Sequence, residues 1–239
     1  MKRRSPSGRG GAPGRPHTLN RIFVLLSLSL AAATAFAQDL DLLVEHRIKA
    51  VGMEGVTRTT EFAERVVRRK DQAWIERVIP ARAHKANAQT KSGHDDKHLD
   101  LATATRWVTL ENGKTLNVRL VSAEDKVVVS VPAAEYANIG FDGNWDNVWH
   151  LLDPRQLRNM TPVPGNAPAG MRWYESVSGG LTVRVLWDEK AEIPRRVESG
   201  NHAGTMRKQM SAKDMAPPRD LPWTLIGNFR QREYADYLD

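Results

Sequence analysis

Polar and apolar side chains alternate with a period of two along most of this chain, and β-branched residues and turn formers punctuate the runs. The pattern predicts strands over residues 44–50, 57–67, 73–79, 106–110, 115–121 and 126–131, the last stopped by Pro132. Four more fall at 172–177, 181–187, 194–198 and 204–210. Asn112-Gly113 predicts a tight hairpin, because both central residues of a type I′ turn need positive φ. Ser178-Gly179-Gly180 predicts a second hairpin, and residues 199–202 a third. Leu181, Val183, Val185 and Trp187 share one face while Thr182 and Arg184 point away, as a strand with one buried side requires.

Three segments break this rhythm. Residues 81–97 are polar and carry His84 and His94, which predicts a long loop. Residues 140–160 predict one or two short helices, the first capped by Asn144 or Asp142, with Trp145, Trp149 and Leu152 on one side. Residues 230–238 predict a short terminal helix. The whole predicts a single mainly-β domain of about nine or ten strands, a curved antiparallel sheet with short helices covering its concave face.

Charge changes the picture at the N-terminus. The 239 residues carry a formal +7, but six basic side chains (Lys2, Arg3, Arg4, Arg9, Arg15, Arg21) and no acidic one fall in residues 1–37. Residues 38–239 then hold 29 basic against 28 acidic side chains, so a nucleic-acid surface is not expected. The basic stretch precedes an apolar run at 22–33 and then Ala35-Phe36-Ala37, the layout of a cleaved signal peptide. A run of that length is shorter than the roughly 20 residues a spanning helix needs. The expected product is residues 38–239, a soluble periplasmic monomer, membrane-peripheral at most. There is no cysteine, so disulfides, thiol chemistry and CxxCH haem attachment are all excluded.

Candidate chemistry is sparse. His94 and His98, with His84 upstream, could hold Cu²⁺ or Zn²⁺ if an i,i+4 helix put both imidazoles on one side; the alternative is a solvated loop. HExxH, GxSxG and phosphate-loop patterns are all missing, so no catalytic residue, enzyme activity or cofactor is expected. Seven tryptophans against five phenylalanines is an uncommon balance. Trp74, Trp107, Trp145, Trp149 and Trp173 are the candidate ligand-binding set, lining an apolar concavity partly closed by the Trp145/Trp149 helix; plain core packing is the alternative.

The strand meander, the short mid-chain helices, the export leader and the run Leu186-Trp187-Asp188-Glu189-Lys190-Ala191-Glu192-Ile193-Pro194-Arg195-Arg196-Val197-Glu198 together resemble the periplasmic lipoprotein-carrier-like (Lol-type) superfamily. The resemblance covers most of residues 40–215 in pattern and 186–198 in wording. It implies an incomplete β-barrel whose helices stopper a hydrophobic cavity, and a non-catalytic binding protein for a lipidic ligand or a lipidated partner. The loop 81–97 and the tail 222–239 have no counterpart in that pattern. No site residue is carried over, because Arg47, Arg58, Arg65, Arg68 and Arg77 are equally eligible for the family's functional arginine. The superfamily also contains periplasmic sensor domains, which keeps a protein-interaction role as the alternative.

Overall fold

The computed structural model describes residues 39–79 and 103–237. The leader 1–37, the start at Gln38, the loop 81–97 with His84 and His94, and His98 after it lie outside the described residues.

Alternation in the sequence becomes alternation in space. Strands β1 (Leu40–Val51), β2 (Thr57–Arg69), β3 (Gln72–Val78), β4 (Thr105–Glu111), β5 (Thr115–Ser122) and β6 (Val127–Val131) pair in succession. The chain then crosses the sheet through residues 132–160. It returns as β7 (Thr161–Val163), β8 (Met171–Ser178), β9 (Leu181–Asp188), β10 (Ile193–Asn201) and β11 (Met206–Asp214), which comes to rest against β1. A last strand, β12 (Arg230–Glu233), adds to β6 in parallel, the one parallel pairing among the described residues. The result is a curved, open antiparallel sheet of twelve strands with short helices on its concave face.

Two strands were not legible in the pattern. Thr161–Val163 is three residues long with a proline, and Arg230–Glu233 is polar and exposed throughout. The expected terminal helix is corrected accordingly. Residues 230–233 pair with the backbone edge of Val127–Ser130, and only one 3₁₀ turn follows, at Tyr234–Tyr237. An apolar edge strand such as β6 leaves a row of unpaired N–H and C=O groups, and pairing it outweighs a weak local helix preference.

The turns follow the expected chemistry. Asn112 and Gly113 have φ of 51° and 67°, and Gly179 and Gly180 have 57° and 75°. The run 186–198 is explained by one carboxylate. Asp188 ends β9 and accepts the N–H groups of Lys190 and Ala191, each at 3.0 Å, and Arg195 Nε at 2.9 Å. Arg195 also reaches Asp214 on β11 at 2.7 Å, so one guanidinium ties the turn to the next strand pair. The register shift between Pro194 and Arg196 lies beside this bridge.

Both faces of the sheet's first half are covered. On one, Val108, Leu120 and Val129 pack with Phe141 and Val148, and Leu42, Val44 and Val66 pack with Leu151 and Ile193. Pleating sends Val67, Trp74, Val121 and Val128 to the other face, where Leu221, Trp223, Ile226 and Phe229 of the tail cover them. This is why β6 reads as a nearly continuous valine run: its two sides are buried under different segments.

Candidate functional site

The crossing segment forms the helix layer. It begins with the 3₁₀ turn Ala133–Ile139, ended by Gly140 at φ 67°, continues as helix α1 (Trp145–His150) and closes with a second 3₁₀ turn, Pro154–Asn159. Asn144 caps α1 by accepting the Asp146 N–H at 2.9 Å, one of the two expected caps. Leu151 takes φ 61° and ends the helix, so Leu152 falls outside it. Asp153 then stitches the layer together. It receives Asn144 Nδ2 at 3.1 Å and Arg155 Nη2 at 2.7 Å, while its own N–H donates to Asn147 Oδ1 at 2.7 Å. The Arg155 guanidinium holds the Asp153 carboxyl well below the usual carboxylate range.

The layer is hooked to the sheet by Arg68. This side chain is 1% exposed on the helix-facing side of β2. Its guanidinium donates to the carbonyl oxygens of Trp149 and, at 3.2 Å, Ala191, and lies 4.7 Å from the centre of the Trp149 ring. Burial pulls the Arg68 pKa down to about 10, with the Glu192 charge acting the other way, so it stays charged at neutral pH.

Beside this hook the helix layer does not fill the sheet's concavity. A hollow of about 250 Å³ remains, floored by Ile75, Ala104 and Leu120 and roofed by Ile139 and Gly140, with Glu64, Arg77 and Arg106 at its rim. Residues 64 on β2, 75 and 77 on β3, and 106 on β4 are cross-strand neighbours, which puts these side chains on the helix-facing side. His46 Nε2 lies 3.1 Å from Glu64 Oε2, and Arg106 Nη2 lies 3.9 Å from Glu64 Oε1. The Phe62 ring is held between the His46 ring, stacked at 4.5 Å, and the Arg77 guanidinium at 3.4 Å. Burial alone would raise the Glu64 pKa. The hydrogen bond and charge of His46, with Arg106 and Arg77, outweigh it and hold the carboxyl below its ordinary value.

The five expected tryptophans do not line one hollow. Trp145 and Trp149 stack on each other at 5.3 Å in the helix layer. Trp74 and Trp107 are cross-strand partners on the opposite face, under Trp223 and Phe229. Trp173 is at the far side of the sheet on β8, with Arg184 4.9 Å from its ring and Gly165 against it. The residues that do surround the hollow were missed. Their signal was present: His46 and Glu64 are polar at positions where the alternation of Leu42, Val44 and Val66 calls for apolar side chains.

A larger, open cleft of about 920 Å³ spans β1, β2, β3 and β11. Its Glu45, Ala63, Ser211 and Lys213 point away from the helix layer, and the pair Lys213–Glu45 closes at 2.6 Å along it. Among the described residues no group of three metal-ligating side chains converges, and no helix is long and apolar enough to cross a membrane.

No protein-family model matches the sequence, and no curated protein does. Solved structures with a similar fold include PNGF-II, 7% identical with a TM-score of 0.36 over 83% of this chain; the chain spans 32% of that protein's length. A LolA superfamily protein from Nitrosomonas europaea is 9% identical with a TM-score of 0.33, over 80% of this chain and 91% of the other. The MucA/MucB complex of Pseudomonas aeruginosa is 13% identical with a TM-score of 0.32, over 77% and 54%. Likeness at this level carries no ligand or reaction across.

Proposed function

We propose that this chain is an exported, non-catalytic binding protein for a hydrophobic or lipidic ligand, free or attached to a partner protein. The observation that supports this is the open cleft of about 920 Å³, whose accessible lining is more apolar than polar and includes Phe62, Val78, Ile79 and Met210. Its volume falls within the range usual for ligand sites, whereas the hollow of about 250 Å³ beneath the helix layer is smaller than that range and mostly polar. Each methylene buried contributes about 0.8 kcal/mol, so roughly ten of them match the free energy of micromolar binding before the cost of association is counted.

Native mass spectrometry of protein purified without detergent tests this. Adducts of lipid mass that extraction removes support the reading, and a bare protein that also fails to take up added fatty acid ends it. The charged groups that border the same cleft, Glu45, Arg47, Arg196 and Lys213, favour a second reading, a docking or sensor module for another protein; retention of a partner without lipid would favour it.

A further inference from the structure

Three turns close one end of the sheet: residues 52–56 between β1 and β2, 179–180 between β8 and β9, and 202–205 between β10 and β11. Pairing register sets them side by side. Val177, Thr182, Gly200, Arg207, Lys49 and Thr59 are successive cross-strand partners, a single row running from β8 to β2 just inside the turns. This end carries three of the five large apolar side chains left exposed among the described residues. Met53 is fully exposed, and Val56 and Val177 are 54% and 58% exposed. Apolar residues scattered singly are ordinary on a surface; a group of them on the tips of adjoining turns is not. Exposed basic side chains border the tips on both faces. Pleating puts Lys49 and its neighbour Arg207 on one face, and Arg58 and Lys208 on the other. Glu54 is the single carboxylate among the residues of the three turns. Two residues farther in, Arg47 is paired with Glu61 at 3.0 Å.

We propose that this end of the sheet is a membrane-surface contact: Met53 and Val56 enter the edge of the acyl region of a bilayer, and Lys49, Arg58, Arg207 and Lys208 lie among anionic headgroups. The turn begins three residues beyond Lys49, roughly 10 Å at the rise of a strand, which matches the depth to which interfacial elements sink. The long basic stems keep their charges at headgroup level while the tip goes deeper. A tip exposed on all sides, with cations on both faces, suits a medium that surrounds it, as headgroups do, better than a partner protein packed on one face. The proposal goes beyond the hydrophobic-ligand reading and does not depend on it.

The chain has no cysteine, so Met53→Cys in the full chain takes a single environment-sensitive fluorophore at the tip. Lys114→Cys, in the β4–β5 turn at the opposite end, is the control. Each is titrated with vesicles of phosphatidylcholine mixed with phosphatidylglycerol, and with vesicles of phosphatidylcholine alone. The expected result is a blue-shifted, brighter emission at position 53 with the anionic vesicles, quenched by lipids spin-labelled on the acyl chain, and no change at position 114. Adding Lys49→Gln and Arg58→Gln together should weaken that binding about tenfold or more, and Glu54→Gln should tighten it several-fold. These positions are exposed, and far-UV circular dichroism will confirm that the variants stay folded. A silent position 53, equal responses at 53 and 114, or equal affinity for neutral and anionic vesicles overturns the proposal. So does a tip that ignores vesicles and responds only to a periplasmic extract, which would make this end a protein-docking surface. The hydrophobic-ligand reading stands or falls separately, on lipid adducts in native mass spectrometry.

Discussion

Arg68→Met isolates the hook that holds the helix layer down. Methionine keeps much of the side chain's length and removes the guanidinium, so the carbonyls of Trp149 and Ala191 lose a buried donor. Each unsatisfied carbonyl costs about 1–3 kcal/mol. Against this stands the relief of a charge held at 1% exposure, a penalty of several kcal/mol in a fully dry site. The two effects oppose, and the expected net loss is about 1–3 kcal/mol, below the ~3–5 kcal/mol expected for Trp149→Ala, which removes a buried indole. Trp149→Ala keeps the backbone carbonyl that Arg68 grips, so one variant removes the hook and the other the packing. Val185→Ala, fully buried on β9, is the control, with an expected loss of about 2 kcal/mol.

Urea unfolding followed by far-UV circular dichroism gives the stabilities, and Nile red, an uncharged dye, reports access to the hollow. Arg68→Met should take up several-fold more dye than Val185→Ala at comparable stability, because the layer loosens while the sheet remains. Trp149→Ala should lose the most stability and also bind more dye. If all three variants bind dye alike, the layer is ordinary core and the lid reasoning fails.

Acid should act on several carboxyls, the exposed Glu45 beside Lys213 and three others among them. Glu64, Asp153 and Asp188 have folded pKa values below their ordinary ones; at Asp188 burial pushes upward, and hydrogen bonds from Ala191, Arg195 and Lys190 outweigh it. Their stabilising effect is complete above the unfolded value near pH 4 and is lost as pH falls through the folded values, so melting temperature should drop below about pH 4. Asp188→Asn should flatten that drop, and an unchanged acid slope would count against the assignment. Deleting residues 218–239 uncovers Trp74, Val121 and Val128 and frees the β6 edge; light scattering should show aggregation, and a monodisperse product would refute the strap role. Asn144→Ala should cost about 1 kcal/mol as a lost cap, read from the same urea curves. Intact mass of periplasmic protein should begin at Gln38, and a retained Met1 leader would end the export reading.

The sheet was legible because burial on one side forces a period of two, and ten of its twelve strands carry that signature. The two that do not, at 161–163 and 230–233, are edge strands held by backbone pairing, which leaves no side-chain pattern. The short helix was legible from Asn144 and the Trp145/Trp149 spacing. The site was harder. Tryptophans mark buried area, but a twisted sheet has two covered faces, and only pairing register tells Trp74 and Trp107 from Trp145 and Trp149. Which polar residues converge on the hollow depends on the register of β1 through β4, and no local run of sequence records that. His46, Glu64 and Arg68 were visible only as inward polar positions in otherwise apolar alternations.

The two covers of this sheet share apolar packing and differ in what is added to it. The tail 221–229 covers its face with Leu221, Trp223, Ile226 and Phe229, and its end is zipped along β6 as β12. Lifting it exposes apolar area and a bare strand edge together, a cost that grows with every residue peeled away. The helix layer is packed down as well, with Phe141, Val148, Ile139 and Trp145 in the apolar cluster over β4–β6, and it adds directional connections: Arg68 to two carbonyls, His150 Nδ1 to the Glu192 carbonyl at 2.7 Å, Asp153 within the layer. Groups of that kind can exchange a protein acceptor for water or for a ligand's oxygen at little net cost once the layer tilts. An incoming apolar chain supplies the missing term, because it reburies the floor that the layer gives up. On the concave side a ligand has therefore to match the packing of Phe141 and Val148 as well as replace the directional contacts, and on the tail's side it has to match the packing and the paired β6 edge together.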